Sequence, residues 1–229
     1  MPHSRNRLLA RLGASDIDRF RPYLTVAELH HGEVLADTHQ RVSKVYFPHA
    51  GIISCVVDLK NGEGIETCMI GADGAFGTMQ ALDENVSLNR VVIQIPGTAS
   101  IIEGGRLREA TDAMPELRAL LIKYEQFLLA QVQQTAACNA MHNIHMRTCR
   151  WLLRMYELAG VDLPLTQEFL AQMMGVRRTS VTEVAGELQK AGLITCRRGH
   201  VHIVAIERIR EHACECHETL QSHHDRLFH

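Results

Sequence analysis

Residues 165–194 read LTQEFLAQMMGVRRTSVTEVAGELQKAGLI, and this stretch decides the fold. Thr166 is placed to cap a first helix, and Glu168 lies in the first turn, where the helix dipole favours a negative charge. Ala171 is small where a second helix has to cross closely, and Gly175 permits the turn between the helices. Apolar residues recur at helical spacings along both segments: Leu170, Met174, Val176, Val181, Val184 and Leu188. These features, in this order, predict a helix-turn-helix.

The second helix, expected over residues 178–191, begins with a polar segment. A recognition helix presents its N-terminal residues to base edges in the major groove, so hydrogen-bonding side chains belong there. Arginine can bind guanine through two hydrogen bonds, while threonine and serine can reach bases or phosphates. The two helices therefore provide these candidate DNA-binding residues: Thr166, Gln167, Arg177, Arg178, Thr179, Ser180, Thr182 and Glu183.

A basic hairpin is expected directly after the second helix. Residues 195–203 read TCRRGHVHI, which indicates two short strands around Arg198 and Gly199, forming a wing. Between residues 177 and 202, five Lys and Arg stand against two Glu, a surplus of three positive charges. Arg197, Arg198 and His200 join the candidate DNA-binding residues, with the arginines on phosphates. The alternative is a winged helix that contacts only protein, which the basic surplus disfavours.

The composition excludes several classes of protein. The chain has 229 residues, 46% of them hydrophobic and 22% charged, with a formal net charge of −2. These values exclude disordered, fibrous and integral-membrane chains, and also a uniformly basic coat protein for nucleic acid. The seven cysteines are odd in number and scattered, and the first residues carry no apolar signal segment. We therefore expect reduced thiols, a cytoplasmic location and no membrane partner.

The first half of the chain has the pattern of an antiparallel β-structure. Short apolar runs are separated by glycines, and strands are expected at residues 42–47, 52–59, 65–70 and 90–95. Asn61 and Gly62 indicate a hairpin turn between two of these strands. Residues 4–20, which precede them, have a helical pattern. Many short strands at regular spacing predict a barrel or jelly roll.

A long helix is expected from Pro115, a residue that the first turn of a helix tolerates. It carries a heptad seam, which continues to Cys138 and whose positions we predict to form a parallel dimer interface: Leu117, Leu121, Tyr124, Leu128, Gln131 and Thr135. The alternative is a long helix that lies along its own barrel. Asn139 is a candidate cap for a following helix over residues 140–158, which places a domain junction there.

The predicted fold class is α+β, with an N-terminal antiparallel β-roll (jelly roll), a long dimerisation helix and a C-terminal winged helix-turn-helix. The corresponding domains are residues 1–114, 115–139 and 140–229. This arrangement resembles the CRP/FNR superfamily of bacterial transcription regulators, over about residues 15 to 210 and most specifically over 165–203. Residues 71–77, GADGAFG, look like the turn before the family's phosphate-binding cassette. The resemblance implies a homodimer that binds palindromic promoter DNA, contacts RNA polymerase and responds to a small signal.

The chain departs from the family's cyclic-nucleotide sensors. Those sensors carry Gly-Glu, a short helix, and then Arg followed by Ser or Thr, whereas the matching positions here are Gly77-Thr78 and Arg90-Val91. Gly77, Thr78 and Arg90 are thus the candidate effector-binding residues, and we expect independence of cAMP. No cysteine precedes Cys55, so the N-terminal iron–sulfur centre of the family's oxygen sensors is absent. Glu183 stands where many relatives carry a basic residue, so the DNA half-site is expected to differ from theirs.

Two groups of cysteine and histidine are capable of binding metal. Cys138, His142, His145 and Cys149 lie at spacings of four, three and four, and across a dimer they would form a zinc site or a redox pair. The tail carries a second group: His212, Cys214, Cys216, His217, His223 and His224. Helix packing for the first group and a solvated helix end for the second are the favoured interpretations. We therefore expect no metal site and no cofactor; a separate hypothesis makes Cys196, on the wing, an oxidation sensor.

Catalytic patterns are missing from the sequence. A metal site inside a jelly roll needs several histidines and a carboxylate, but the histidines at 30, 31, 39 and 49 lack the close His-x-His spacing. No Walker loop, dinucleotide fingerprint or Ser-His-Asp arrangement is present either. We expect a regulator rather than an enzyme. The alternative function is a metal- or redox-responsive ligand sensor whose winged helix contacts protein.

Overall fold

The computed structural model of the chain describes residues 2–82 and 86–229. The described α-helices are α1 (Ala14–Phe20), α2 (Thr78–Leu82), α3 (Gly104–Ala113), α4 (Pro115–Met141), α5 (Ile144–Ala159), α6 (Gln167–Met174), α7 (Arg178–Lys190), α8 (Ile206–His212) and α9 (Cys216–Phe228). The strands are β1 (Thr25–Leu29), β2 (Val34–Ala36), β3 (Lys44–Asp58), β4 (Gly64–Ile70), β5 (Arg90–Glu103), β6 (Asp162–Leu163), β7 (Ile194–Arg197) and β8 (His200–Ile203). Short 3-10 helices occupy His3–Arg5, Leu9–Arg11 and Arg21–Tyr23. The result is the mixed fold that the sequence predicts.

The chain forms two compact units. The amino-terminal unit contains Met1–Cys55 and Cys68–Leu129, and the carboxyl-terminal unit contains Val56–Thr67 and Ala130–His229. The tip of the hairpin formed by β3 and β4 thus belongs to the carboxyl-terminal unit. The strand pattern of the hairpin is the same as that of its neighbours, so this assignment could not be predicted from the sequence.

The first sheet is antiparallel and has the order β1-β5-β3-β4, with β2 also paired to β5. The strands expected at 42–47 and 52–59 are in fact one strand, β3, and the strand expected at 90–95 continues to Glu103. Gly51 lies inside β3 with φ +89°, and a Cβ there would lie 2.6 Å from the Ile95 carbonyl oxygen. Glycine therefore permits close approach of two strands here, rather than ending one of them.

The core of the amino-terminal unit is made by aromatic and branched side chains. Phe20 and Phe47 are fully buried and meet edge to face, with ring centroids 6.3 Å apart. Ile52, Ile93 and Ile102, from the two long strands, are also buried. Every residue of β3 from Gly51 to Val56 is buried, so both faces of this part of the strand are covered.

Helix α4 begins at Pro115 as predicted and ends at Met141, two residues beyond the predicted end at residue 139. Asn143, not Asn139, caps the next helix: its side-chain oxygen accepts a hydrogen bond of 3.0 Å from the Met146 N–H. The helix predicted at 140–158 is therefore α5, over Ile144–Ala159. Asparagine is a favoured N-cap residue, so Asn139 and Asn143 are equally good candidates by residue type. The position at which the chain reverses decides between them.

The chain itself covers most of the heptad seam of α4. Leu117, Leu121, Tyr124 and Gln131 are buried within the chain, and Leu128 and Thr135 are half-buried. Tyr124 covers Gly74, where a Cβ would collide with the phenol ring. Four of the six predicted dimer-interface positions are thus already covered within one chain, and their role in a dimer stays a prediction. The alternative, packing of the helix on its own roll, describes the amino-terminal part of α4.

The carboxyl-terminal unit contains a second antiparallel sheet of order β6-β8-β7, with α5 packed on α7 and α8. Trp151, Leu152, Leu170, Val184 and Leu188 are among its buried side chains. Within residues 2–82 and 86–229, helices of the length and apolarity needed to span a membrane are not found.

Candidate nucleic-acid interface

Helices α6 and α7 form the predicted helix-turn-helix. The Thr166 hydroxyl caps α6 by accepting a hydrogen bond of 3.1 Å from the Phe169 N–H. Gly175 ends α6 in the left-handed conformation, with φ 61° and ψ 42°. The chain then turns within two residues, and Arg177 is the N-cap residue of α7. Thr166 and Gly175 thus have the structural roles that the sequence assigns to them, because caps and turns depend on local residue types.

Helix α7 separates an apolar face from a polar one. Its inner side chains, Val181, Val184, Ala185 and Leu188, are buried. The predicted base-contacting side chains lie on the other face, where Arg178, Thr179, Thr182 and Glu183 are exposed and Ser180 is half-buried. Arg177 is exposed at the start of the helix. The buried apolar face of α7 therefore fixes the helix in place, and the first two turns present a row of hydrogen-bonding side chains on the opposite face.

Two side-chain contacts join α6 to this row. The Thr182 hydroxyl lies 2.9 Å from Gln167 Oε1 and 3.0 Å from the Arg178 carbonyl oxygen, and it can donate to either. Arg178 lies 4.0 Å from the Glu168 carboxylate, and both side chains are mostly exposed. An exposed ion pair at this distance contributes little, so the guanidinium of Arg178 is easily released to another acceptor. Gln167 is half-buried and accepts a hydrogen bond from Thr182, so its side chain is less available than that of Arg178 to bind an outside partner.

The wing is a tight hairpin. Strands β7 and β8 pair from Ile194↔Ile203 to Arg197↔His200, which leaves a two-residue loop. Arg198 and Gly199 both have positive φ, 40° and 82°, as a type I′ turn requires. Arg197, Arg198 and His200 are exposed at this end of the wing. The structure thus places the three predicted wing residues together at one tip.

A residue that the sequence did not single out fixes the wing to α7. Gln189, near the end of α7, accepts a hydrogen bond of 2.8 Å on its side-chain oxygen from the Cys196 N–H. Cys196 is half-buried, and burial raises the pKa of its thiol. This environment argues against the hypothesis that Cys196 senses oxidation, because the thiolate is the reactive form. The alternation of side chains along β7 could have predicted that Cys196 is half-buried, since Ile194 and Cys196 point to the same side of the strand.

The charges of this surface are exposed as predicted. Each of the five Lys and Arg residues between 177 and 202 is exposed, and so are Glu183 and Glu187. Glu187 lies 3.0 Å from His145 of α5, which draws this carboxylate toward α5. Glu183 is then the acidic side chain that stands among the candidate base-contacting groups. We call the surface formed by the first two turns of α7 and the wing tip the basic surface.

The candidate effector-binding residues lie in the amino-terminal unit, where Thr78 is already engaged. Thr78 begins α2, is buried, and donates its hydroxyl to the Glu125 carboxylate of α4. Burial raises the pKa of Glu125, while the hydrogen bond from Thr78 opposes that rise. Gly77 has φ +93°, and a Cβ there would lie 2.6 Å from the Lys44 carbonyl oxygen. Arg90 is half-buried at the start of β5.

The metal-capable side chains are regrouped by the fold. Cys138 and His142 of the first sequence group meet Cys214 and Cys216 of the second. The remaining members have other surroundings: Cys149 is fully buried, with its pKa raised to about 12 by burial, and His145 faces Glu187. His217 lies 3.1 Å from Glu157. The sequence could not show this grouping, because 76 residues separate Cys138 from Cys214.

Comparisons with known proteins agree with this geometry. Residues 146–212 match the family model of the Crp-like helix-turn-helix domain. No curated protein matches the chain. Many solved structures share its fold, three of which follow. FixK2 from Bradyrhizobium japonicum has a TM-score of 0.71 at 12% identity, covering 83% of this chain and 98% of its own.

The second structure is the c-di-GMP responsive global regulator CLP from Xanthomonas campestris, with a TM-score of 0.68 at 16% identity, covering 83% of this chain and 99% of its own. The third is a CRP-family transcriptional regulator from Thermus thermophilus, with a TM-score of 0.67 at 17% identity, covering 82% and 96%. The chain is therefore similar in fold to CRP/FNR-type structures over most of its length.

Proposed function

We propose that this chain, which has a Crp-like helix-turn-helix domain at residues 146–212 and the fold of CRP/FNR regulators, is a sequence-specific DNA-binding transcription regulator. The observation that carries the proposal is the basic surface. Exposed Arg177, Arg178 and Thr179 at the start of α7 lie in the same domain as exposed Arg197 and Arg198 on the wing. An α-helix that enters the major groove presents its first turns to bases, while a neighbouring hairpin meets phosphates.

Base recognition is assigned to α7. Arg178 is held only by a long, exposed contact to Glu168, so it is available for guanine. Glu183 is exposed one turn later and is suited to accept a hydrogen bond from cytosine N4. Thr179, Ser180 and Thr182 complete the row, and Thr166 and Gln167 support it from α6. Recognition of a GC-containing half-site follows from this chemistry.

Phosphate binding is assigned to the wing. Arg197, Arg198 and His200 gather at a tip that is stiffened by the two-residue loop and by the hydrogen bond to Gln189. Contacts to phosphate give affinity without sequence information and depend strongly on salt. We therefore expect wing substitutions to weaken binding to all DNA sequences by similar factors.

The active form is proposed to be a homodimer on a palindromic site. Helix α4 leaves Ile122 and Leu129 exposed, by 51% and 57%, and the exposed Ala136 follows at the same interval of seven residues. A heptad of apolar residues on an open face is the pattern by which two helices pair. A second copy of this chain is thus the occupant of that face, and a twofold dimer reads an inverted repeat.

Regulation is proposed to be independent of cyclic nucleotides. The Thr78 hydroxyl donates to Glu125, so it is already engaged and is not available to a phosphate. No glutamate follows Gly77, where the family's sensors hold the ribose. Gly77 and Arg90, the other candidate effector-binding residues, do not replace the missing contacts to phosphate and ribose. Contact with RNA polymerase is the step by which a dimer bound at a promoter would change transcription.

The test is selection of bound fragments from genomic DNA by the full-length protein, followed by salt titration on the selected fragment. We expect enrichment of fragments that share an inverted repeat, with a dissociation constant at least about 1,000-fold lower than that for random DNA. The logarithm of the binding constant should fall linearly with that of the salt concentration. Uniform recovery of all fragments, or the absence of salt-dependent binding, would contradict the proposal. Addition of cAMP should leave the constants unchanged.

A further inference from the structure

Four side chains with metal-binding atoms converge in the carboxyl-terminal unit. Cys138 lies near the end of α4, His142 follows it by one helical turn, and Cys214 and Cys216 flank Glu215 at the start of α9. Their ligand atoms all lie within 4.8 Å of one another. Cys138 Sγ is 3.5 Å from Cys214 Sγ, and Cys216 Sγ is 3.5 Å from His142 Nδ1. We call these four residues the Cys3His cluster.

The backbone holds the cluster in two pairs. The His142 N–H donates a hydrogen bond of 3.1 Å to the Cys138 carbonyl oxygen, so His142, one residue past the end of α4, lies one helical turn after Cys138 on the same face. Cys214 lies in the tight connection from α8 to α9 and Cys216 is the first residue of α9, where the His217 N–H donates to the Cys214 carbonyl oxygen. Each pair is therefore fixed by local structure, and folding of the unit brings the two pairs together.

The burial of the cluster favours a closed site. Cys138, Cys214 and Cys216 are each at most 3% exposed and form a small core of their own, with Met146 packed against them. His142 seals the solvent side, with 15% of its side chain exposed. Three cysteines and an imidazole provide less apolar packing than leucines would in the same place, so hydrophobic packing alone does not account for this choice of residues.

We propose that Cys138, His142, Cys214 and Cys216 bind one divalent transition-metal ion, with zinc as the best match. Three thiolates and one imidazole are a common ligand set for structural zinc, and bond lengths of about 2.3 Å to sulfur and 2.0 Å to nitrogen give ligand separations of about 3.5–3.8 Å in a tetrahedron. The two 3.5 Å distances agree with ligands around a single ion. This proposal differs from the expectation from the sequence that the chain binds no metal.

A four-iron cluster fits the geometry less well. Each cysteine of such a cluster binds a different iron atom, so its ligand sulfurs are separated by an iron–sulfur cube rather than by one ion. The 3.5 Å separation of Cys138 Sγ and Cys214 Sγ is too short for that arrangement. All four ligands come from the protein, which leaves no open position and indicates a structural rather than a catalytic ion.

Outer contacts complete the site. The Nε2 atom of His142 lies 3.2 Å from Glu215 Oε1, so the carboxylate can fix the tautomer that leaves Nδ1 free for the metal. Gln134 donates a hydrogen bond of 3.0 Å to Cys216 Sγ. Zinc with three thiolates has a net charge of −1, and the positive charges of Arg147 and Arg150 act on the Cys138 sulfur. A carboxylate behind a ligating histidine and donors to the sulfurs are the usual support of a zinc site.

The ion would close a loop that contains the whole helix-turn-helix and wing. The ligand pairs at residues 138–142 and 214–216 flank α6, α7, β7 and β8. Closing a loop of this length removes conformational freedom from the unfolded chain and stabilises the folded unit. The metal thus supports the domain that carries the basic surface, without contacting DNA itself.

The experiment uses the full-length chain without an added histidine tag, purified under reducing conditions. Elemental analysis should find one zinc per chain, and replacement by Co²⁺ should give the visible bands of tetrahedral cobalt with a thiolate charge-transfer band. Cys214→Ser should lose the zinc and the charge-transfer band, whereas Cys149→Ser, which removes a buried thiol outside the cluster, should keep both. His224→Ala tests the exposed group His224, Asp225 and His229, which offers no sulfur, and should also keep both.

Two further variants keep the test decisive if Cys214→Ser does not fold. His142→Cys should retain one metal and strengthen the charge-transfer band, because a fourth sulfur replaces nitrogen. Glu215→Gln should weaken zinc binding by about 10-fold to 100-fold while leaving the spectrum tetrahedral. The proposal is overturned by a cobalt spectrum that Cys214→Ser and His142→Cys leave unchanged. It is equally overturned by a chain that contains iron and labile sulfide, or by a Cys138–Cys214 disulfide in the reduced preparation.

Discussion

The indole Nε1 of Trp151 donates a hydrogen bond of 2.8 Å to a carboxylate oxygen of Glu66, and both side chains are buried. Glu66 lies on β4, in the hairpin tip that belongs to the carboxyl-terminal unit, and Trp151 lies on α5. Ile65, the neighbour of Glu66, lies against Gly175, where a Cβ would be 2.8 Å from its Cδ1 atom. The hairpin tip is thus built into the helix-turn-helix unit through one polar and one apolar contact.

Trp151→Phe should lower the free energy of unfolding by about 1–3 kcal/mol, because it removes a donor from a buried carboxylate. Glu66→Gln should cost less, since its amide oxygen still accepts from the indole. Chemical denaturation of both variants and of the double variant measures this. Strictly additive effects in the double variant would show that the hydrogen bond contributes nothing.

Arg178→Ala should weaken binding to the selected site by about 1–3 kcal/mol and reduce discrimination at one base pair. The reason is that the guanidinium makes the base contact while its alkyl stem contributes little to the fold. Binding isotherms on the native site and on single-base variants provide the measurement. Arg226→Ala, an exposed arginine on α9, is the control and should bind like the wild type.

Arg197→Ala should weaken specific and random DNA by similar factors and lower the salt slope by about one. A phosphate contact carries no base information, so the ratio of specific to random binding should not change. Titrations at several salt concentrations on both kinds of DNA measure the slope. A selective loss on the native site would instead place Arg197 on a base edge.

Leu129→Glu should shift the chain from dimer to monomer, because it puts a charge in the centre of the exposed heptad of α4. Analytical ultracentrifugation measures the association, and DNA binding should fall with it. Leu88→Glu is the matched control, since Leu88 is 73% exposed and lies outside α4. Dimers that persist in Leu129→Glu would direct attention to another face.

Stability should decrease as the pH falls below about 6.5, the ordinary pKa of histidine. Burial lowers the pKa of His3 and His49, whose rings lie 2.7 Å and 2.6 Å from the Ser100 hydroxyl. The unfolded chain then binds protons that the folded chain resists, so this contribution is negligible above pH 6.5 and destabilises progressively toward the lowered pKa values. Urea midpoints across this range should show a shallower decrease for His49→Gln than for the wild type.

The helix-turn-helix could be predicted because its signals are local. The Thr166 cap, the Gly175 turn and the positive φ at Gly199 each depend on residues within a few positions of one another. The role of α4 could not be predicted in the same way. A heptad pattern indicates only that one face of the helix is buried, and it does not indicate what covers that face. At Leu117 and Tyr124 the chain itself covers it.

The metal-capable group shows a second limit of the sequence. Spacing along one helix grouped Cys138 with Cys149, whereas the chain reverses at Asn143 and sends Cys149 into a different part of the core. Cys214 approaches Cys138 only through tertiary folding. Spacing patterns identify metal ligands that lie on the same helix or strand. They do not identify ligands that come from helices or strands far apart in the sequence.

The left-handed backbone of Arg198 affects the stability of the wing tip. A side chain with a Cβ in this conformation costs roughly 1–2 kcal/mol, and glycine or asparagine would relieve most of that cost. The wing tip is therefore locally frustrated: the arginine opposes the stability of its own turn while it keeps a positive charge at the outermost point of the hairpin. Glycine or asparagine would suit this turn better, whereas arginine supplies the positive charge that the proposed phosphate contact needs.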